Sequence, residues 1–232
     1  NSSVLFETGL FFCINKIMNR LEKIDKTIKG IKDANLPQRD FVKMMETFHD
    51  PFKVLICCIL SLRTNDLTTY PCSLRMLELG TKPEDFLNID EDTLAKAIYP
   101  VGFYKNKARQ ILDISKELVE KYNGKVPKSI DELVKFKGVG RKTANLVMAK
   151  GFDEPAICVD VHVHRISNRL GWVKTKTPEE TEMALRKLLP KKYWLDINTI
   201  LVTFGQNLCK PQRPMCEICP VSQYCDSFNK KS

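Results

Sequence analysis

The chain has 232 residues, 43% of them hydrophobic, and a formal charge of +9. Such a length fits one or two domains with a real core, and the charge points to a polyanionic partner. No apolar run approaches the roughly 18 residues of a membrane span, and nine cysteines in a chain this long read as buried free thiols plus one clustered site in a reducing compartment, not as a disulfide framework.

The apolar core of the first segment, Gly9 to Ile14, is short, and Glu7 stands where a signal peptide carries positive charge, so it does not read as one. Residues 1–17 are expected to be an extension or a start-site artefact, or equally an extra helix packing on the body of the fold. From Ile17 to Ile31, Leu21, Ile24, Ile28 and Ile31 recur at helical spacing on a lysine-rich background, which predicts a surface helix with one buried face. Pro37 breaks the helical pattern beyond it. Asp50-Pro51 marks a helix start with Asp50 as N-cap, and Phe52 to Leu62, nearly all apolar, predicts a buried helix. Lys82-Pro83-Glu84-Asp85 and Asp90-Glu91-Asp92 read as helix starts with acidic first turns. Lys107 to Tyr122 is a further helix, ended near Gly124.

Leu133 to Lys150, LVKFKGVGRKTANLVMAK, then reads as helix, tight turn, helix. Gly138 and Gly140 can take positive φ and leave their backbone N–H groups bare, so an anion can approach. The second helix opens with Arg141 and Lys142, puts Ala144, Val147 and Met148 on one side, and ends at Gly151. A glycine turn feeding a helix N-terminus is a phosphate-binding device. The spacing is not that of a P-loop, and an ordinary helical hairpin remains an equal reading from the glycines alone. Ala156 to Ile166 alternates like a strand. Its Asp160-x-His162-x-His164 also has metal-ligand spacing, although no further ligands suggest themselves. Pro178 to Leu189 and Trp194 to Leu208 are helices. Cys209, Cys216, Cys219 and Cys225 come next, four thiols among Pro211, Pro214 and Pro220, so a ligand must set the shape of this loop. By chemistry alone, zinc and an iron–sulfur cluster suit four thiolates about equally.

Phe136-Lys137-Gly138-Val139-Gly140-Arg141-Lys142-Thr143-Ala144, followed by Val159-Asp160-Val161-His162, resembles the helix-hairpin-helix and the acidic motif of the endonuclease III family of DNA glycosylases. The cysteine loop resembles the iron–sulfur loop of the same family, and the resemblance runs from about residue 20 to about residue 228. It implies an all-α, two-domain helix-hairpin-helix glycosylase fold. Residues 44–154 would form a six-helix barrel. Residues 155–232 would form a [4Fe–4S] cluster domain, with 1–43 packing on it. Asp160 would cap a helix running to Leu170, with Gly171 beyond, and Cys209, Cys216, Cys219 and Cys225 would hold the cluster.

The implied activity is bifunctional: removal of oxidised pyrimidines from duplex DNA, then β-elimination at the abasic site through a Schiff base. Lys142 would be the nucleophile, its pKa lowered by the helix N-terminus, Arg141 and partial burial. Asp160 would be the carboxylate, with His162 and Arg165 behind it. Lys137, Gly138, Val139, Gly140, Arg141, Thr143, Lys210 and Arg213 would contact DNA. Arg63 stands where the family usually has a base-replacing glutamine. It can fill the hole of a flipped base or, as a helix-end arginine, bond to phosphate. Phe103 stands at the position of the family's apolar wedge, although by its own context it reads as core. The expected partner is double-stranded DNA with damaged bases or abasic sites, bound by a monomer in the nucleoid or the nucleus. A mismatch or oxidised-purine glycosylase, a non-catalytic DNA-binding hairpin and a zinc scaffold stay open as alternatives.

Overall fold

The structure, a computed structural model, describes residues 20–229, and among them every regular element is helical. The all-α expectation holds. In chain order the α-helices are α1 (20–33), α2 (Asp40–Thr47), α3 (Pro51–Ser61), α4 (Asp66–Leu79), α5 (Glu91–Ile98), α6 (Tyr104–Tyr122), α7 (Ile130–Leu133), α8 (Arg141–Leu146), α9 (Val161–Arg169), α10 (Pro178–Leu188), α11 (Ile197–Asn207) and α12 (Asp226–Asn229). They fall into two compact units. One spans Gln38–Cys158; the other joins, among the described residues, 20–37 with 159–229.

The continuous unit is built around α3. Phe52 and every residue from Val54 to Leu60 are buried, which is why the segment is nearly all apolar. Asp50 caps α3 as its sequence predicts, accepting from the N–H groups of Phe52 at 2.9 Å and Lys53 at 3.0 Å. Asp90 caps α5 in the same way. At Pro83–Asn88 the expected helix is only a 3-10 turn, and the Asp85 carboxylate folds back on the N–H groups of Thr81 and Lys82. Those two bonds hold Asp85 below the usual carboxylate range. α6 begins at Tyr104, a turn before the Lys107 that opens the predicted helix.

α8 does not stop at Leu146 but widens into a π turn over Val147–Gly151, closed by Phe152 N–H to Val147 O at 3.2 Å. Gly151 ends this turn, as expected, but it is not among the glycines with left-handed φ. It is glycine because α3 passes against it: a Cβ here would stand 2.5 Å from Pro51 Cα. Gly151→Ala therefore destabilises the protein by about 1–3 kcal/mol, against a helix-propensity gain of at most about 1 kcal/mol. Chemical denaturation measures this; a neutral or stabilising result removes the close-approach argument.

In the discontinuous unit, α1 buries Ile24, Ile28 and Ile31, the expected face, with Leu21 half-buried. Residues 17–19 of the predicted helix, and the extension before them, lie outside the described residues. α1 lies against the C-terminal cysteine loop. A Cβ at Gly30 would stand 2.8 Å from Val221 Cγ1, Lys23 pairs with Asp226 at 2.6 Å, and the Tyr193 hydroxyl donates to Asp25 at 2.7 Å. Residues 156–160 run without regular structure and α9 begins at Val161, so the strand-like alternation corresponds to a buried approach segment followed by a helix. α9 ends at Arg169 with Leu170 as its C-cap, one residue short of the end that the resemblance implies, and Gly171 beyond has φ +73. α11 starts at Ile197, after a 3-10 turn over Lys191–Tyr193.

Candidate functional site

The turn between α7 and α8 is held from α6. The Gln110 amide donates to Lys137 O at 2.7 Å, and Gly138 lies under that side chain with φ +78. Only one of the two glycines is left-handed: Gly140 has φ −95 and N-caps α8. Its role is openness, because a Cβ built there meets nothing within 4 Å. The first helical bond of α8 runs from Ala144 N–H to Gly140 O, so the N–H groups of Arg141, Lys142 and Thr143 precede the intrahelical ladder and, with the helix dipole, point at an accessible space.

Lys137, Gly138 and Gly140 are exposed and Arg141 is half-buried, while Val139 is buried and anchors the turn. Thr143 is buried on the inward face with Ala144, which leaves its backbone for contact. The expected partial burial of Lys142 is not seen: its side chain is exposed. The Lys142 charge also reaches the buried Cys58 thiol, which burial pushes up to about 12 with Lys142 pulling the other way.

The structure brings Arg63 and Phe103 together. The Arg63 guanidinium lies 4.9 Å from the centroid of the Phe103 ring, a cation–π pair. Both residues are left-handed, φ 55 and φ 59, a conformation costing an ordinary residue about 1–2 kcal/mol. Phe103 is 57% exposed, so the core reading of that residue is overturned. The reason is its place before α6, where the left-handed backbone turns the ring outward. Beneath the pair lies Lys107, the residue that opens the helix read from the sequence. Lys107 is 5% exposed. Its ammonium donates to Leu60 O at 2.7 Å, Leu62 O at 2.6 Å and Thr64 Oγ1 at 3.0 Å. Burial lowers its pKa to about 8, with the Cys72 thiol acting in the opposite sense.

In the other unit Asp160 N-caps α9. One carboxylate oxygen, Oδ1, accepts from His162 N–H at 2.9 Å and Val163 N–H at 2.8 Å. The metal-like spacing is otherwise used. His162 Nδ1 lies 3.1 Å from Arg165 Nη2, and His164 Nδ1 bonds Thr181 Oγ1 at 2.7 Å. Arg165 donates to Cys209 O at 2.9 Å. One turn on, Arg169 donates to Lys210 O at 2.7 Å and Pro211 O at 2.8 Å, with its Nη1 3.4 Å from Cys209 Sγ. α9 thus starts at Asp160 and ends on the cysteine loop. α11 approaches it closely at Gly205, where a Cβ would run into His162 Nδ1 and Arg165 Nη2. Sequence reasoning misses Arg169 and Gly205; the i, i+4 pair Arg165 and Arg169 is the available signal for the first.

Cys209, Cys216, Cys219 and Cys225 line one cavity of about 960 Å³ together with Phe204, Leu208, Pro211, Pro214 and Met215. None of the four is in a disulfide. Burial raises the thiols of Cys219 and Cys225, with backbone bonds at Val221, and at Phe228 and Ser227, acting against it. Among the described residues no three His, Cys, Asp or Glu side chains form a group that could hold a metal ion. Lys210 and Arg213 are exposed on the loop, Arg213 with φ 49.

Residues 56–191, which include Arg63, Phe103, the glycine turn and Asp160, match the HhH-GPD superfamily of base excision DNA repair proteins. Endonuclease III of Thermotoga maritima is 49% identical over 196 residues, covering 83% of this chain and 92% of that protein. A solved non-covalent endonuclease III–DNA complex superposes with a TM-score of 0.79 at 34% identity, over 90% of this chain and 97% of that one. A trapped covalent endonuclease III–DNA intermediate does so with a TM-score of 0.77, also at 34% identity over 90% of this chain. In sequence and in fold, this chain belongs to the endonuclease III family of the HhH-GPD superfamily.

Proposed function

We propose that this base excision repair protein is a bifunctional DNA glycosylase that removes oxidised pyrimidines from duplex DNA and nicks the abasic site by β-elimination. The observation that carries the reading is Lys142: an exposed amine on the first turn of α8, beside an open glycine turn. It supplies a nucleophile next to a phosphate-binding backbone.

The turn from Lys137 to Arg141 holds backbone phosphate through its N–H groups and its basic side chains. Val139 and Thr143 act there through the backbone alone, since both side chains are buried. Arg63 and Phe103 enter the stack where the damaged base leaves it, Phe103 as wedge and Arg63 as donor to the orphaned base. Lys142, after losing its proton, attacks C1′ as the bond to the base breaks. The base leaves with the bonding electrons, and positive charge develops on the sugar in that step. The Asp160 carboxylate stabilises that charge and serves as the proton acceptor. The resulting amine adduct opens the sugar to a Schiff base, and loss of the C2′ proton expels the 3′ phosphate. His162 and Arg165 hold the first turn of α9, and with it Asp160, against the cysteine loop.

Four cysteines lining one cavity give an all-thiolate donor set of the kind a [4Fe–4S] cluster takes, the group that the family resemblance implies. Cys209, Cys216, Cys219 and Cys225 would hold it. When bound, the cluster supplies a rigid cross-link that fixes Lys210 and Arg213 for phosphate contact. The partner is damaged duplex DNA, bound by a monomer where the chromosome is, in the nucleoid or the nucleus.

A panel of duplexes carrying thymine glycol, 8-oxoguanine, a T·G mismatch or an abasic site tests the reading under borohydride. Adducts form with thymine glycol and with the abasic site. Adducts on the mismatch or the oxidised purine alone move the substrate to the reading that Arg63 keeps open, and no adduct on any duplex sinks the enzyme. The same preparation contains iron and acid-labile sulfide in equal amounts; zinc in their place removes the cluster.

A further inference from the structure

The buried Lys107 has no place in the chemistry above, and a buried ammonium is costly unless something holds it. Its three donors meet three neutral oxygens, two carbonyls from the end of α3 and its cap and one hydroxyl in the next turn of the chain. That turn is the one that carries Arg63 in its left-handed backbone. Thr64 Oγ1 also accepts from Gly102 N–H at 3.1 Å. Gly102 fits so closely that a Cβ there would stand 3.1 Å from Arg63 O. On the other side, the backbone N–H of Lys107 bonds Phe103 O at 3.0 Å. One residue therefore grips the Arg63 turn with its side chain and the Phe103 turn with its backbone. Its oxygens lie at the negative end of α3, where a cation is favoured.

We propose that Lys107 is a positioning residue for base extrusion: its ammonium locks the Arg63 turn against the Phe103 turn, so that the stacked pair enters the duplex as one rigid wedge. The inference rests on the proposed duplex-distorting role of Arg63 and Phe103. Neither strained residue is pinned by its own side chain, since each side chain is exposed and touches the other. Their geometry is set from below. The depressed pKa of Lys107 is the sign of a charge kept at a cost in a place where a methionine would pack without one.

The test uses Lys107→Met in the full chain with a thymine glycol duplex carrying 2-aminopurine beside the lesion, whose fluorescence rises on unstacking. Lys107→Met lowers the unstacking rate and the single-turnover excision rate by about tenfold to a hundredfold. Schiff-base trapping on single-stranded abasic DNA, which needs no extrusion, stays within about twofold. In an Arg63→Ala/Phe103→Ala background the same substitution has no further effect on excision. Thr64→Val, which removes the shared hydroxyl, shows the same substrate split and carries the test if Lys107→Met does not fold. A fluorescence rise unchanged by both variants overturns the inference, as does an equal loss on duplex and single-stranded substrates. No fluorescence rise with the native protein overturns the duplex-distortion reading and this inference together; a native rise whose rate is unchanged in both variants overturns this inference alone.

Discussion

Lys142→Ala forms no covalent adduct with abasic DNA under borohydride, and its base excision falls by at least about a thousandfold. The variant still folds, because position 142 is exposed on the first turn of α8, where alanine is a good helix former and a surface change costs at most about 0.5 kcal/mol. It still binds duplex DNA, because the turn N–H groups and Lys137 are untouched. Trapping gels, single-turnover kinetics and a melting curve read the three effects separately. An adduct that survives the substitution assigns the Schiff base to another lysine.

The second large effect comes from Asp160→Asn. Aspartate and asparagine are near equals as N-caps, and the cap bonds to His162 and Val163 use one oxygen that asparagine keeps. α9 therefore stays in place and the melting temperature moves little. Excision falls by about a hundredfold or more, because the negative charge that meets the developing positive sugar is gone. Asp160→Ala loses the same activity and about 1 kcal/mol of stability besides. Retention of activity in the asparagine variant limits Asp160 to capping; equal stability losses in the two variants remove the cap argument instead.

Much of this is legible in the order of the residues. Asp50 and Asp90 announce their helices because a capping carboxylate acts within three residues of itself, whereas the strand-like alternation around Asp160 hides α9 until the family resemblance supplies it. Helices that bury one stripe show it in their spacing, as α1 does. α4 is silent for the opposite reasons: Pro71 sits inside it, and Leu67 and Leu74 face outward while Thr69 and Ser73 face in. Its apolar pattern is blurred and its proline reads as a stop. At the site, the glycine turn and the four cysteines are local signals, and spacing alone finds them. Lys107, Arg169 and Gly205 act on segments distant in sequence, Lys107 on carbonyls 45 and 47 residues away. A lysine in a lysine-rich chain gives no sign that its charge is buried. Arg63 and Phe103 can be named one by one, but only folding stacks them.

α1 acquires its neighbours very late in synthesis. The unit from Gln38 to Cys158 has its whole core, from Phe41 to Val147, once about two-thirds of the chain has left the ribosome. It can close on its own contacts. α1 has emerged before it with Ile24, Ile28 and Ile31 uncovered, and Lys23 meets Asp226 only across 203 residues. Loop-closure entropy grows slowly with length, so the finished unit suffers little from that separation, but the order of events is fixed by it. The glycine-turn half is assembled first. The half that carries Asp160 and the cysteines forms last, around an N-terminal helix that has waited for it through most of translation. A nascent chain truncated before the cysteine loop would hold Lys142 in a folded unit and leave α1 an exposed apolar stripe, the feature a chaperone recognises.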